Sequence, residues 1–386
     1  MKISKMADGV TPSLTRKLFN MAQEIGEDVI DLTLGDPDIP PHENIRRAAS
    51  DAVINGKMRY SANAGLIELR SEYANFFKKQ YGISLDPKRN VIATVGGMEA
   101  LFLALASIID PGDEVVVLAP YYVNYVQMIK MLGGTAVVVD TLNKSDERVS
   151  SDIKNAVNEK TVSIIINSPC NPTGEIISPY ILDSIAKIAC ESDILVISDE
   201  VYNSLVYDGN VAESIITRPN MQPRTVLVDS CSKRFAMTGF RIGFAVGPKK
   251  IISAMTKMQE NVAACAPVSS QYAAIEAYSE SFDNSYIKET YEKRRNILVS
   301  MLDEIECLSY KTPKATFYCF VDIAKTGMDA ENFCYELLKN AHVAVVPGNA
   351  YGEKYKNYIR IAFTLKEEKL IEAMKRIKDF CRRFTK

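Results

Sequence analysis

Through the first two-thirds of the chain, short apolar runs of strand length alternate with longer amphipathic stretches. The runs fall at 90–95, 114–119, 135–140, 162–167, 194–199, 225–230 and 241–247. Most carry Val and Ile at both odd and even positions, as parallel strands covered on both faces by helices should. Helix-like stretches at 98–109, 122–132 and 180–192 lie between them, and Pro and Gly mark the joints, as in Asp110-Pro111-Gly112-Asp113. The pattern predicts an α/β unit built on a mainly parallel, seven-stranded sheet. From about Pro267 it changes: one or two long helices are expected over 269–302, then strand-like runs at 315–321, 342–346 and 358–363 with helices between them. The expected division is a segment 1–50 folding back onto the small domain, a large domain over 51–267, and a C-terminal long helix with a small α+β domain over 268–386.

The 386 residues, 47% of them hydrophobic, suffice for a large buried core. A formal net charge of −2 offers no global attraction for nucleic acid or an anionic membrane. The eight cysteines are irregularly spaced without a CxxC pair, and they read as reduced residues rather than a disulfide framework. With only His42 and His342, neither a Cys/His metal site nor a Ser-His-Asp hydrolase is expected. The N-terminus lacks a signal-peptide pattern, and no uncharged apolar run approaches the roughly 20 residues of a membrane span. A cytoplasmic protein is expected.

The motif richest in chemistry runs Ser230-Cys231-Ser232-Lys233 and continues to Arg241-Ile242-Gly243, as S-x-S-K-x-F-x-M-T-G-x-R-I-G. A lone lysine is usually a solvated surface residue. This one follows an apolar strand, where open sheets present ligands, and an amine of lowered pKa there can condense with an aldehyde. Ser230, Ser232 and Arg241 suit a phosphate dianion. Asp199 closes another apolar run, and Tyr202 follows three residues on. A carboxylate so placed can hold a pyridine nitrogen protonated; taken alone, it is more often a helix N-cap or a metal or ribose ligand. Asn167-Ser168-Pro169-Cys170-Asn171-Pro172-Thr173-Gly174 is a rigid turn with candidate cis bonds, and it presents the Asn171 amide. Thr94-Val95-Gly96-Gly97-Met98 leaves a strand for a helix, so the Gly97 and Met98 N–H groups can take a phosphate. The absence of G-x-G-x-x-G argues against a dinucleotide site. Tyr122 can stack on a flat ring, and Arg360, inside an alternating strand, suits a carboxylate or a structural ion pair.

Together these motifs resemble the class I/II aminotransferases, pyridoxal-phosphate enzymes of fold type I. The resemblance runs from Gly35-Asp36-Pro37-Asp38 to Arg360 and includes Tyr60 in Arg59-Tyr60-Ser61-Ala62-Asn63-Ala64-Gly65. It implies that Lys233 forms the Schiff base with pyridoxal 5′-phosphate and that Asp199 pairs with the ring nitrogen. Asn171 and Tyr202 would meet the phenolic oxygen, and Tyr122 the ring face. Gly97, Met98, Ser230, Ser232 and Arg241 would hold the phosphate, with Tyr60 reaching in from the second subunit of a homodimer. Arg360, the Gly35 backbone and Asn171 would bind the α-carboxylate. The implied reaction is ping-pong transfer of an amino group between an α-amino acid, with aspartate ranked first, and a 2-oxo acid such as 2-oxoglutarate. A C–S β-lyase uses the same electron sink and is the alternative. A non-enzymatic regulator would need a DNA-binding module, and the chain lacks a basic stretch. The chain departs from the family at Ile39, where Phe is usual, at Gly97, where Ser is common, and at Tyr122, where Trp is common.

Overall fold

The computed structural model describes residues 2–11, 14, 18, 20–21, 24, 26, 28–279 and 283–384. Its main sheet consists of β2 (Val91–Thr94), β3 (Glu114–Ala119), β4 (Thr135–Asp140), β5 (Thr161–Asn167), β6 (Leu195–Asp199), β7 (Thr225–Ser230) and β8 (Gly243–Val246). The strand order is β2-β8-β7-β6-β5-β3-β4. β3, β4, β5, β6 and β7 pair in parallel, and β8 runs antiparallel to both β7 and β2. The sheet is therefore the mainly parallel one expected.

Unbroken apolar runs are needed because both faces are buried. Ile164 and Ile166 of β5 turn to one core and Ile165 to another. Likewise Leu227 of β7 faces away from Val226 and Val228. Local signals start and stop the covering helices. Ser178 accepts a hydrogen bond from Ile181 N–H at 3.3 Å ahead of the helix Pro179–Glu191, whose first residue is the proline. Left-handed Gly82 ends the helix Ile67–Tyr81.

The remaining strands are β1 (Ile30–Asp31), β9 (Ser309–Tyr310), β10 (Tyr318–Asp322), β11 (Val343–Ala344), β12 (Val346–Pro347) and β13 (Tyr358–Ala362). β12-β13-β10-β9 form an antiparallel sheet, while β1 pairs in parallel with β11. The run expected at 342–346 thus divides between two sheets. Helices Ser285–Leu302, Ala330–Ala341 and Glu367–Cys381 share an apolar core with these strands through Leu298, Phe333, Ile361 and Ile377. Helix Val268–Ala277 instead joins the core of Leu69, Tyr73 and Phe244 beside the main sheet. Among the described residues no helix is long and apolar enough to cross a membrane, and no cluster of potential metal ligands occurs.

Candidate active site

Several chain segments end at one cavity of about 470 Å3. Asn167, Asp199 and Ser230 are the last residues of β5, β6 and β7, and helix Gly96–Ala106 begins two residues after β2. These ends lie along the carboxyl edge of the sheet, the usual ligand crevice of open α/β folds. Twelve of the residues singled out from the sequence line the cavity: Gly35, Gly97, Met98, Tyr122, Asn171, Asp199, Tyr202, Ser230, Ser232, Lys233, Arg241 and Arg360. Tyr60 does not; it is 88% exposed on its own chain.

Lys233 lies on the short helix Cys231–Arg234 directly after β7, and Ser230 caps that helix by accepting from Ser232 N–H at 3.1 Å. The Lys233 ammonium donates to the Gly35 carbonyl at 2.6 Å and stands 5.4 Å from the Phe317 ring centre. Burial lowers its pKa to about 8; Arg241 and Arg360 push the same way, and Asp36 pushes back. The amine is thereby poised to lose its proton near neutral pH.

Asp199 is 3% exposed. Burial raises its pKa to about 6, and Asp229 adds to that, against hydrogen bonds from Tyr125 and the Val201 N–H. The Tyr125 hydroxyl donates to Asp199 Oδ2 at 2.5 Å, and Val201 N–H reaches Oδ1 at 3.4 Å. Ser168–Pro169 is cis, as is Ala119–Pro120. Past the first of these bonds, Asn167 Oδ1 accepts from Asn171 N–H at 2.8 Å and fixes the turn. Tyr202 hydrogen-bonds Tyr318 hydroxyl to hydroxyl at 3.2 Å.

Arg360 is buried. One of its terminal nitrogens donates to Asn171 Oδ1 at 3.1 Å and the other to the Thr33 carbonyl. Its guanidinium stacks 4.2 Å from the Tyr318 ring centre and 5.2 Å from that of Tyr351. Its Nε is buried with no hydrogen-bond partner among the described residues. Arg360 makes no carboxylate ion pair among the described residues, which leaves the structural ion-pair reading without a partner.

At the opposite end, helix Gly96–Ala106 begins with no side-chain cap on its first N–H groups. Arg241, in the left-handed region at φ 51°, brings its guanidinium so close that a Cβ on Gly96 would sit 2.6 Å from Nη2. Uncapped N–H groups beside a guanidinium make an anion-binding corner. Ser230 turns its hydroxyl to the Ile242 carbonyl at 3.3 Å, so its proton is engaged within the protein.

The sequence profile of the family Aminotransferase class I and II matches residues 27–377. The aspartate aminotransferase of Pyrococcus abyssi is 39% identical over 99% of both chains. Aromatic-amino-acid aminotransferase 2 of Thermococcus litoralis is 38% identical over 98% of this chain and 97% of its own. The solved structure of Thermus thermophilus aspartate aminotransferase with maleate superposes with a TM-score of 0.92 at 33% identity, covering 98% of this chain and 99% of that one. This chain belongs to the class I and II aminotransferases.

Within this aminotransferase, sequence reasoning passed over Tyr125, Asn167, Tyr318 and Tyr351. Tyr125 lies in the first turn of helix Asn124–Met131, three residues after Tyr122 in the preceding loop, and its N–H bonds back to the Tyr122 carbonyl at 3.1 Å. Asn167 opens the proline turn and was open to the same reading as Asn171. For Tyr318 no local signal exists, because its partners Tyr202 and Arg360 lie far along the chain; Tyr351 meets Arg360 only because a turn returns the chain between them.

Proposed function

We propose that this aminotransferase works with pyridoxal 5′-phosphate held in the cavity at the carboxyl edge of the sheet. Lys233 carries the reading: its amine has a lowered pKa and shares the cavity with the buried Asp199 carboxylate. The surrounding residues fit the group. The uncapped helix start at Gly96–Met98 and the Arg241 guanidinium suit its phosphate. Asp199 suits its ring nitrogen, Tyr122 its face, and Tyr202 and Asn171 its phenolic oxygen. When bound, the cofactor supplies an aldehyde that condenses with amines and a ring that takes up electrons released at the substrate's Cα.

The chain's own residues do the rest. Arg360 binds the donor's α-carboxylate with the N–H groups left free by Asn171 and Thr33. With its amine free, Lys233 Nζ would accept the donor's Cα proton and later return one, acting as general base and then general acid. Asp199, as the anion, keeps the ring nitrogen protonated. Tyr60, exposed on its own chain, completes the phosphate site of a second subunit in a homodimer. The substrates are an α-amino acid, aspartate foremost, and a 2-oxo acid such as 2-oxoglutarate. Aromatic donors are a second reading, favoured by Tyr318 and Tyr351 in the cavity wall. The eight free thiols suit a reducing cytoplasm.

The test is Lys233→Ala. Purified in parallel with the unaltered enzyme, it should lose the visible absorbance of the lysine-bound cofactor and nearly all transamination. An active variant would sink the assignment. A panel of amino donors against 2-oxoglutarate, ranked by kcat/KM, decides between aspartate and aromatic donors. Pyruvate release from cysteine-type donors would point to the lyase instead.

A further inference from the structure

Asp199 is a buried carboxylate with no cationic side chain in contact with it among the described residues. A buried anion is costly unless it is paired or strongly hydrogen-bonded. Its one short bond comes from Tyr125, itself only 1% exposed; the second, from Val201 N–H, is long. A phenol reaching a carboxylate at 2.5 Å donates to it, and such a charge-assisted bond favours the ionised acid. Other ionisable groups close enough to feel Asp199, or to act on it, are Asp229, Tyr122 and Cys170, all acids that give it no positive partner. Tyr125 also stands edge-on to Tyr122, with ring centres 5.5 Å apart. The short segment from Tyr122 into the first turn of helix Asn124–Met131 thus carries both the aromatic wall of the cavity and the partner of its acid.

We propose that Tyr125 is a positioning residue for the cofactor: its hydroxyl holds Asp199 ionised and aimed into the cavity, so that the carboxylate pairs with a protonated ring nitrogen. The proposal rests on the reading that Asp199 faces that nitrogen. Nothing in it requires Tyr125 to touch the substrate or the cofactor.

The experiment titrates apoenzyme with pyridoxamine 5′-phosphate, which has no aldehyde for Lys233 and so reports the ring contacts and phosphate contacts alone. Four proteins are compared: unaltered, Tyr125→Phe, Asp199→Asn and the double variant. The melting point of each apoenzyme is recorded alongside. Tyr125→Phe keeps the ring in place and is expected to bind roughly tenfold more weakly, the size of a lost hydrogen bond to a charged group. In the Asp199→Asn background the same change is expected to alter binding by less than about twofold, because coupled residues are not additive. In turnover, Tyr125→Phe lowers kcat and leaves KM for the amino donor within about twofold of its starting value. Unchanged binding by Tyr125→Phe while Asp199→Asn binds weakly overturns the role of Tyr125 and leaves Asp199's intact. Equal losses in both backgrounds reduce Tyr125 to packing and also overturn the proposal. Wild-type binding by Asp199→Asn overturns the underlying reading of Asp199, and the proposal with it.

Discussion

Lys233 shows how far one side chain's chemistry is set by its surroundings. In water its ammonium would keep its proton well above neutrality, but burial beside Arg241 and Arg360 lowers its pKa to about 8. Only the neutral amine attacks an aldehyde, and its fraction grows as pH rises through that value. The rate at which apoenzyme takes up pyridoxal 5′-phosphate should therefore increase with pH, with a midpoint near 8, and then level off. Stopped-flow absorbance measures it; a rate that is flat or falls over this range would contradict the lowered pKa. Gly35 makes a second residue-scale point. A Cβ there would stand 1.7 Å from the Tyr318 hydroxyl and 2.8 Å from the Phe317 ring. Gly35→Ala must push aside the tyrosine that stacks on Arg360. The expected cost is about 1–3 kcal/mol of stability with a raised KM for the amino donor, read from denaturant melts and steady-state kinetics.

At the scale of elements, three strands coincide with the apolar runs expected at 114–119, 135–140 and 225–230. Those at 114–119 and 225–230 were legible because a strand buried on both faces is largely apolar, a property the sequence carries locally; the strand at 135–140 is a half-exposed edge and was legible from its run of β-branched valines. The small strands were less so. β11 and β12 lie one residue apart, yet belong to different sheets, a choice made by β1, near the start of the chain, and by β13, which returns after the loop that follows β12. The N-terminal loop is fastened in the same non-local way. Asp38 forms a two-pronged pair with Arg294 of helix Ser285–Leu302, at 2.6 and 3.1 Å, and that arginine also reaches the Thr364 carbonyl at 2.9 Å. The Arg294 side chain is 6% exposed. Arg294→Met would unpair the Asp38 carboxylate and release the loop carrying Gly35. Asp38 keeps its access to water, so the expected loss is about 1–2 kcal/mol, the size of the lost charge-assisted hydrogen bonds, together with weaker amino-donor binding. Chemical denaturation checks it; an unchanged midpoint would mean that the pair contributes nothing to stability.

For the whole molecule, the exposed Tyr60 side chain, with Val53, Ile54, Met58 and Val262 also exposed, marks the surface we propose for the second subunit. Activity per subunit should fall on dilution below the dimer's dissociation constant, and Tyr60→Phe should weaken cofactor binding without changing the monomer's fold. Sedimentation velocity with parallel assays tests both; a fully active monomer would remove the partner's role. We also propose that the boundary between large and small domains lies beyond helix Val268–Ala277, since that helix packs in the core of Leu69, Tyr73 and Phe244. The chain's own order of residues sufficed to place Lys233, Asp199, Asn171 and Arg241 at one sheet edge. Each follows an apolar strand or sits in a motif beside one, and parallel strands bring such ends together. Folding in three dimensions alone decided that Tyr125 would meet Asp199, 74 positions away, and that Thr33 and Asn171 would share the Arg360 guanidinium across 327 and 189 positions. Strand and helix periodicities are local properties, whereas contacts between distant side chains depend on how whole layers pack, which no spacing in the sequence records.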